Sequence, residues 1–232
     1  MILIIQNGYL DTAIHRYLDD EYRIVKSYSQ INRNKMDPIK DESDIIRSGS
    51  VSCIANTEVD NIDLDEYDAV IILGGHQSVR NIEKYKSLQA VVRLIDKCYK
   101  ENKPVLGICL GSQLIAHYSG CEIKKCDHIK VGYDVDITIN NITYNNIFRA
   151  HHDCIVPNDN IQVLYSYENM PYLIKNKCLI GIQCHPDIPP TEVNRFISID
   201  NLRKRKNHSS MQVNLDNKSI MDWLIAQLKE IR

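Results

Sequence analysis

Pro104-Val105-Leu106-Gly107-Ile108-Cys109-Leu110-Gly111-Ser112-Gln113-Leu114-Ile115-Ala116-His117-Tyr118 is the stretch from which the rest of the chain can be read. Residues 104–108 are a short apolar run that predicts a buried strand. Residues 114–118 continue as helix, and Gly120 predicts its stop. Between strand and helix, the spacing G-x-C-x-G over residues 107–111 marks a nucleophile elbow with cysteine in the serine position. The turn is so tight that a Cβ two residues either side of the nucleophile would clash, so only glycine fits there. Cys109 then stands at a helix N-terminus, whose positive end favours a thiolate. It also stands at the carboxyl end of a strand, where open parallel sheets place their sites. The plainer alternative is a buried structural cysteine, which describes most of the other seven.

Upstream, residues 69–73 form another apolar run ended by Gly74-Gly75. Residues 84–100 then place Leu88, Val91, Val92, Ile95, Cys98 and Tyr99 on one helical face. Strand, glycine turn, helix, strand, sharp turn, helix is the order of right-handed βαβ units on a parallel sheet. Residues 2–5 and 22–26 predict strands, residues 14–18 a short helix, and residues 51–54 a further strand. Residues 29–50, polar and containing Pro38, predict a surface excursion. Downstream, Val135, Ile137 and Ile139 alternate with polar residues, as on a half-buried strand. More strands are predicted at 161–167, 171–175 and 179–184, and an amphipathic helix at 219–231. With no internal repeat or dividing linker, residues 1–232 predict one α/β domain. Its core runs to about residue 190, and a basic loop and the final helix occupy 200–232.

Composition narrows the function classes. Of 232 residues, 44% are apolar, enough for a sizeable core, and the net charge of −2 argues against broad nucleic-acid binding. No run approaches the ~18–20 apolar residues of a membrane span. Met1-Ile2-Leu3-Ile4-Ile5 lacks a basic export region, so reduced thiols and a cytoplasmic location are expected. No cofactor is implied. Cys121, Cys126 and His128 offer half a zinc motif without a second ligand pair. The basic run at residues 203–206 reads as a solvated loop or as a docking patch or targeting signal.

Two further segments fit the elbow. Gly181-Ile182-Gln183-Cys184-His185-Pro186-Asp187 ends an apolar run in a histidine and an acid. Two residues apart on extended backbone, His185 and Asp187 would project to the same side. A cysteine nucleophile needs an imidazole to carry its proton, and a carboxylate to fix the imidazole's tautomer. Without such roles they would be a satisfied core histidine beside a surface acid. Leu73-Gly74-Gly75-His76-Gln77-Ser78 ends a strand in a glycine pair. Its Gly75 N–H, with that of Leu110, offers the two donors that acyl transfer requires for an oxyanion. A plain turn or a phosphate loop is the rival, although neither G-x-G-x-x-G nor G-x-x-x-x-G-K is present.

Together LGGHQS, GICLGSQLIA and GIQCHPD resemble the class I (triad-type) glutamine amidotransferases, in the family's order and at its approximate spacing. The resemblance covers roughly residues 1–190. It implies an open, mostly parallel, flavodoxin-like sheet with helices on both faces, a smaller antiparallel region and a glutaminase site. It implies Cys109 as nucleophile, His185 as general base and acid, Asp187 as orienter, and Gly75 and Leu110 as the oxyanion hole. Gln113 would contact the bound glutamine. Ala150-His151-His152-Asp153 resembles the family's S-H-x-D segment, whose backbone helps hold the substrate's amino acid end. Glu168-Asn169-Met170-Pro171 is most reminiscent of the glutaminase part of GMP synthase.

Three positions depart from the family. Asp187 replaces Glu and is one C–C bond (~1.5 Å) shorter, His76 replaces proline, and Ala150 replaces serine. The resemblance implies glutamine as substrate and a separate ATP-dependent synthase chain to receive the ammonia. A stand-alone γ-glutamyl peptidase or hydrolase, or a binding or scaffolding protein with an idle site, are the alternatives.

Overall fold

The computed structural model describes residues 1–7, 14–18, 21–30, 46–48, 51–55, 57–188, 193 and 217–231. Its main sheet has seven strands: β1 (Ile2–Gln6), β2 (Tyr22–Lys26), β6 (Ala69–Ile72), β7 (Val105–Ile108), β10 (Gln162–Tyr167), β11 (Met170–Asn176) and β12 (Leu179–Ile182). Their order is β10-β11-β12-β7-β6-β1-β2. Strands β2, β1, β6, β7 and β12 are mutually parallel. Numbered by chain order alone, those five run 2-1-3-4-5, the flavodoxin-like arrangement. Strands β11 and β10 extend the sheet antiparallel to β12.

The apolar runs are continuous because both faces of the central strands are covered. Leu3, Ile5, Val70, Ile72 and Val105 pack towards the helices α1 (Lys86–Lys100) and α2 (Leu110–Tyr118), against Leu88, Val91, Ile95, Leu114 and Ile115. Ile2, Ile4, Ile71, Leu106 and Ile108 face the other way. There they meet Ile220, Met221 and Leu224 of the last helix, α3 (Asn217–Glu230). Gly120, at φ +82°, follows α2 as expected.

Residues 51–54 do form a strand, β5 (Val51–Ala55), but not in the main sheet. It pairs antiparallel with β3 (Tyr28–Gln30) and β4 (Ile46–Ser48), both within or beside the expected surface excursion. The alternation at residues 135–139 belongs to something larger, an antiparallel hairpin of β8 (Glu122–Ile139) and β9 (Ile142–Val156). Asn140 and Asn141, at φ +50° and +64°, make its two-residue turn, as type I′ geometry requires. Its tip packs Val135, Ile137 and Ile147 on the face that α3 covers. The basic run at residues 203–206 lies outside the described residues. Among those described, no helix is long and apolar enough to cross a membrane.

Candidate active site

Cys109 closes β7 and caps α2 with φ +51° and ψ −104°. A left-handed φ is uncommon for a side-chain-bearing residue, costs about 1–3 kcal/mol and persists only where its surroundings enforce it. Here they do. The Cys109 N–H donates to the Ile182 carbonyl (2.8 Å), and the Cys109 carbonyl accepts from Gln113 N (3.0 Å). A Cβ on Gly107 would lie 2.4 Å from the Gly111 oxygen, and one on Gly111 only 2.1 Å from the Ile72 oxygen. Both glycines are therefore demanded by backbone, as the spacing predicts.

His185 lies 3% exposed beyond the end of β12, its N–H anchored to the Phe148 carbonyl of β9 at 2.7 Å. The imidazole is both hydrogen-bonded and charge-coupled to the Cys109 side chain. Its Nδ1 is 3.2 Å from Asp187 Oδ1. Burial alone would push this histidine down, but its electrostatic interaction with Cys109 and its hydrogen bonds to Asp187 and Cys109 raise it to about 10.

The route by which histidine and acid meet differs from the extended backbone expected. The strand stops at Ile182, and residues 186–187 form a turn, with Ile188 N donating to the His185 carbonyl at 3.4 Å. The turn folds Asp187 back, which supplies the reach that its shorter side chain lacks.

The glycine loop lies against the same two side chains. A Cβ on Gly74 would be 2.7 Å from His185 Cε1 and 3.5 Å from Cys109 Cβ. Gly75 rests against Leu110 Cδ2 and the Asn7 carbonyl, each under 3 Å from the position of an added Cβ (2.8 and 2.9 Å). The Leu110 N–H is in the first turn of α2, where no helical carbonyl stands behind it. Asn7, just past β1, donates from Nδ2 to the Leu73 carbonyl (2.9 Å) and is held by Ser27 Oγ (2.7 Å). It stands at the switch point between β1 and β6, where open α/β sheets bind ligands. That position was available from the strand order, although no motif marks it.

The hairpin supplies the remaining wall. The Cys109 thiol points at the Ala150 carbonyl (3.7 Å). His151 is buried, with Nδ1 on the Asp153 carbonyl and Nε2 on the Tyr172 hydroxyl, both at 2.9 Å. Burial lowers it to about 3, so it is neutral, donating from Nδ1 to the carbonyl and accepting the Tyr172 proton at Nε2. Behind Tyr172 stands Arg149, 4% exposed. It donates to Tyr172 (2.9 Å), Asp134 (2.6 Å) and Glu168 (3.1 Å). Burial opposes its charge, but these partners hold it protonated, and hydrogen bonds from Arg149 and Lys130 pull Glu168 down to about 2.

The Asp153 carboxylate is not open to a ligand. Ser78 donates to it, and Arg80 Nε does so at 2.9 Å, tying the glycine loop to the hairpin. His152 is exposed, unlike its neighbours. The side chains of His151 and Asp153 are thus spent on protein contacts, which leaves backbone as what this segment offers a substrate. Gln113 donates from Nε2 to the Asp153 carbonyl and to Gln183 Oε1, both at 3.3 Å. Cys121 and Cys126 have different partners, Asn158 (3.3 Å) and His151 (3.9 Å). Among the described residues no cluster of three or more His, Cys, Asp or Glu side chains could hold a metal.

The family model for class-I glutamine amidotransferases matches residues 26–204, most of the chain. The chain belongs to that family. A glutamine amidotransferase-like protein of Acanthamoeba polyphaga mimivirus is 45% identical over 197 residues, covering 84% of this chain and 81% of its own length. A glutamine-hydrolysing GMP synthase subunit of Picrophilus torridus is 29% identical over 155 residues, 62% of this chain and 80% of its own length. Among solved structures, a glutamine amidotransferase of Thermotoga maritima superposes with a TM-score of 0.67 at 19% identity, spanning 99% of this chain and 96% of that one. That last likeness concerns the fold. In this member of the family, the three motifs gather at the carboxyl ends of the parallel strands.

Proposed function

We propose that this amidotransferase is a glutaminase that works through a cysteine thioester. The Cys109 thiolate attacks the side-chain carbonyl carbon of glutamine, and the Gly75 and Leu110 N–H groups receive the oxyanion. The tetrahedral adduct collapses, breaking the C–N bond as His185 protonates the departing ammonia. His185 then takes a proton from water, which attacks the thioester, releasing glutamate and restoring the thiol. Asp187 keeps the imidazole oriented throughout. With both Nε2 hydrogens of Gln113 engaged, its Oε1 is left to accept from the substrate's ammonium group.

The observation that carries this reading is the buried His185 imidazole bonded on one side to Cys109 and on the other to Asp187. That contact also weighs against an idle site, because the short carboxylate still reaches its histidine. The relatives named as subunits of a glutamine-hydrolysing GMP synthase support glutamine as substrate and a separate synthase chain as consumer of the ammonia.

The test is to measure ammonia and glutamate released from glutamine, and free amino acid released from a γ-glutamyl dipeptide. Turnover of glutamine should fall by about four orders of magnitude or more in Cys109→Ala, and by roughly a hundredfold less in Asp187→Ala. Activity surviving Cys109→Ala would refute the proposal. Steady cleavage of the dipeptide with no partner and no preference for glutamine would favour the stand-alone hydrolase instead.

A further inference from the structure

One buried polar contact at the elbow has no part in the mechanism above. Gln183, the third residue of GIQCHPD, is 1% exposed and directs its Nε2 at the Cys109 sulfur from 3.7 Å. A carboxamide presents a donor at one end and an acceptor at the other, and which end faces the sulfur decides what the contact does. Here the hydrogen-bond chain fixes it.

The Asp153 backbone carbonyl can only accept, so the amide end of Gln113 that meets it must be its nitrogen. The second hydrogen on that same nitrogen points to Gln183, which must answer with its oxygen. The Gln183 nitrogen is thereby turned to the sulfur. Flipping Gln183 would set two NH₂ groups against each other, and flipping Gln113 would set two carbonyl oxygens against each other. Neither arrangement survives burial, where an unmade hydrogen bond costs about 1–3 kcal/mol.

We infer that Gln183 is a thiolate-binding residue of Cys109, with Gln113 as the positioning residue that locks its amide. The sulfur has two hydrogen-bond neighbours of opposite preference. The Ala150 carbonyl, 3.7 Å away, accepts from the neutral thiol, whereas the Gln183 N–H favours the anion. The amide therefore supplies a stabilisation that is independent of the charge on His185. It acts on the thiolate before attack and again when the thioester breaks and the sulfur departs as an anion. The meaning for turnover rests on the proposed role of Cys109 as nucleophile, but the contact itself can be read without turnover.

The experiment is the pH profile of Cys109 alkylation by iodoacetamide, followed on the Cys109 peptide by mass spectrometry. Burial raises the Cys98 and Cys126 thiols to about 12, which keeps these two slow at neutral pH. Gln183→Met, similar in bulk but without the donor, should alkylate about tenfold more slowly at pH 7 and reach the wild-type rate at high pH. Gln183→Glu should be slower still near neutrality, since it keeps an acceptor for Gln113 but sets a negative charge against the sulfur. Gln113→Met should show the same displacement at about a third of the size.

A Gln183→Met profile that superimposes on the wild type would overturn the inference. So would a rate lowered equally at every pH, which is the mark of a packing role. If Gln183→Met loses the wild-type circular dichroism, Gln183→Glu and Gln113→Met carry the same comparison. An unchanged profile would leave the glutaminase proposal standing, and turnover surviving Cys109→Ala would leave the profile interpretable.

Discussion

The β7–α2 elbow and the β8–β9 hairpin form two sides of one site by opposite physical means. At the elbow, backbone meets backbone. Gly107, Gly111, Ile72 and Ile182 leave no room for side chains, and one strained residue is the outcome. At the hairpin, side chains reach one another and across to β11. Arg149, Tyr172, His151 and the Asp153 carbonyl form a buried chain of hydrogen bonds whose members stand as much as 23 positions apart. The difference teaches that a steric requirement leaves a local mark in sequence, whereas a polar network leaves almost none.

The contrast breaks most visibly at Gly111. Its Cβ would collide with a carbonyl oxygen that belongs to the central strand β6 and cannot retreat. Gly111→Ala should cost about 3 kcal/mol or more, seen as a lower urea midpoint, and should cripple Cys109 reactivity as well. Full stability with a shifted active site would mean that the elbow is softer than its neighbours imply.

On the other side, Arg149→Met should be milder. Asp134 and Glu168 both reach solvent (51% and 39% exposed) and can be hydrated once their partner is gone. About 2 kcal/mol is expected by chemical denaturation, below the usual cost of breaking a wholly buried pair. A loss as large as that of Gly111→Ala would show that the two sides are equally rigid.

The third effect appears only on acidification. His151 is lowered to about 3 by burial, so between there and the ordinary histidine value near 6.5 the unfolded chain binds a proton that the folded chain refuses. Its contribution is intact above about pH 6.5 and is lost as the pH falls towards 3. Melting temperature should therefore decline on acidification across that window, and decline less in His151→Gln. Equal slopes for the two proteins would remove His151 from the account.

Legibility in the sequence follows the same division. The parallel strands, α1, α2 and the elbow were readable because apolar runs and glycine spacing report local geometry. The hairpin was half-read. Ile139 and Ile142 bracket Asn140-Asn141, a turn signal at the end of a recognisable alternation. The first half of β8, by contrast, carries Lys124, Lys125, Asp127 and His128, which hide its strand character behind two wet faces. Asp187 was legible as His185's partner but not the turn that joins them, since the residue pair gives no length for the path between. Gln183 stood in plain view within GIQCHPD, and only the distant Gln113 and Asp153 reveal which end of its amide matters. In the segment whose backbone was expected to help hold substrate, the side chains of His151 and Asp153 brace the walls of the site.

The φ of +51° at Cys109 has a consequence for descent. A copy of this chain relieved of its chemistry would gain by placing glycine at position 109, because relaxation of that backbone would no longer be opposed by selection for the sulfur. On the proposed mechanism, retention of a side chain in so unfavourable a conformation is a running cost that use of the thiol repays. Drift at this single codon would be among the earliest signs that a lineage had stopped using it.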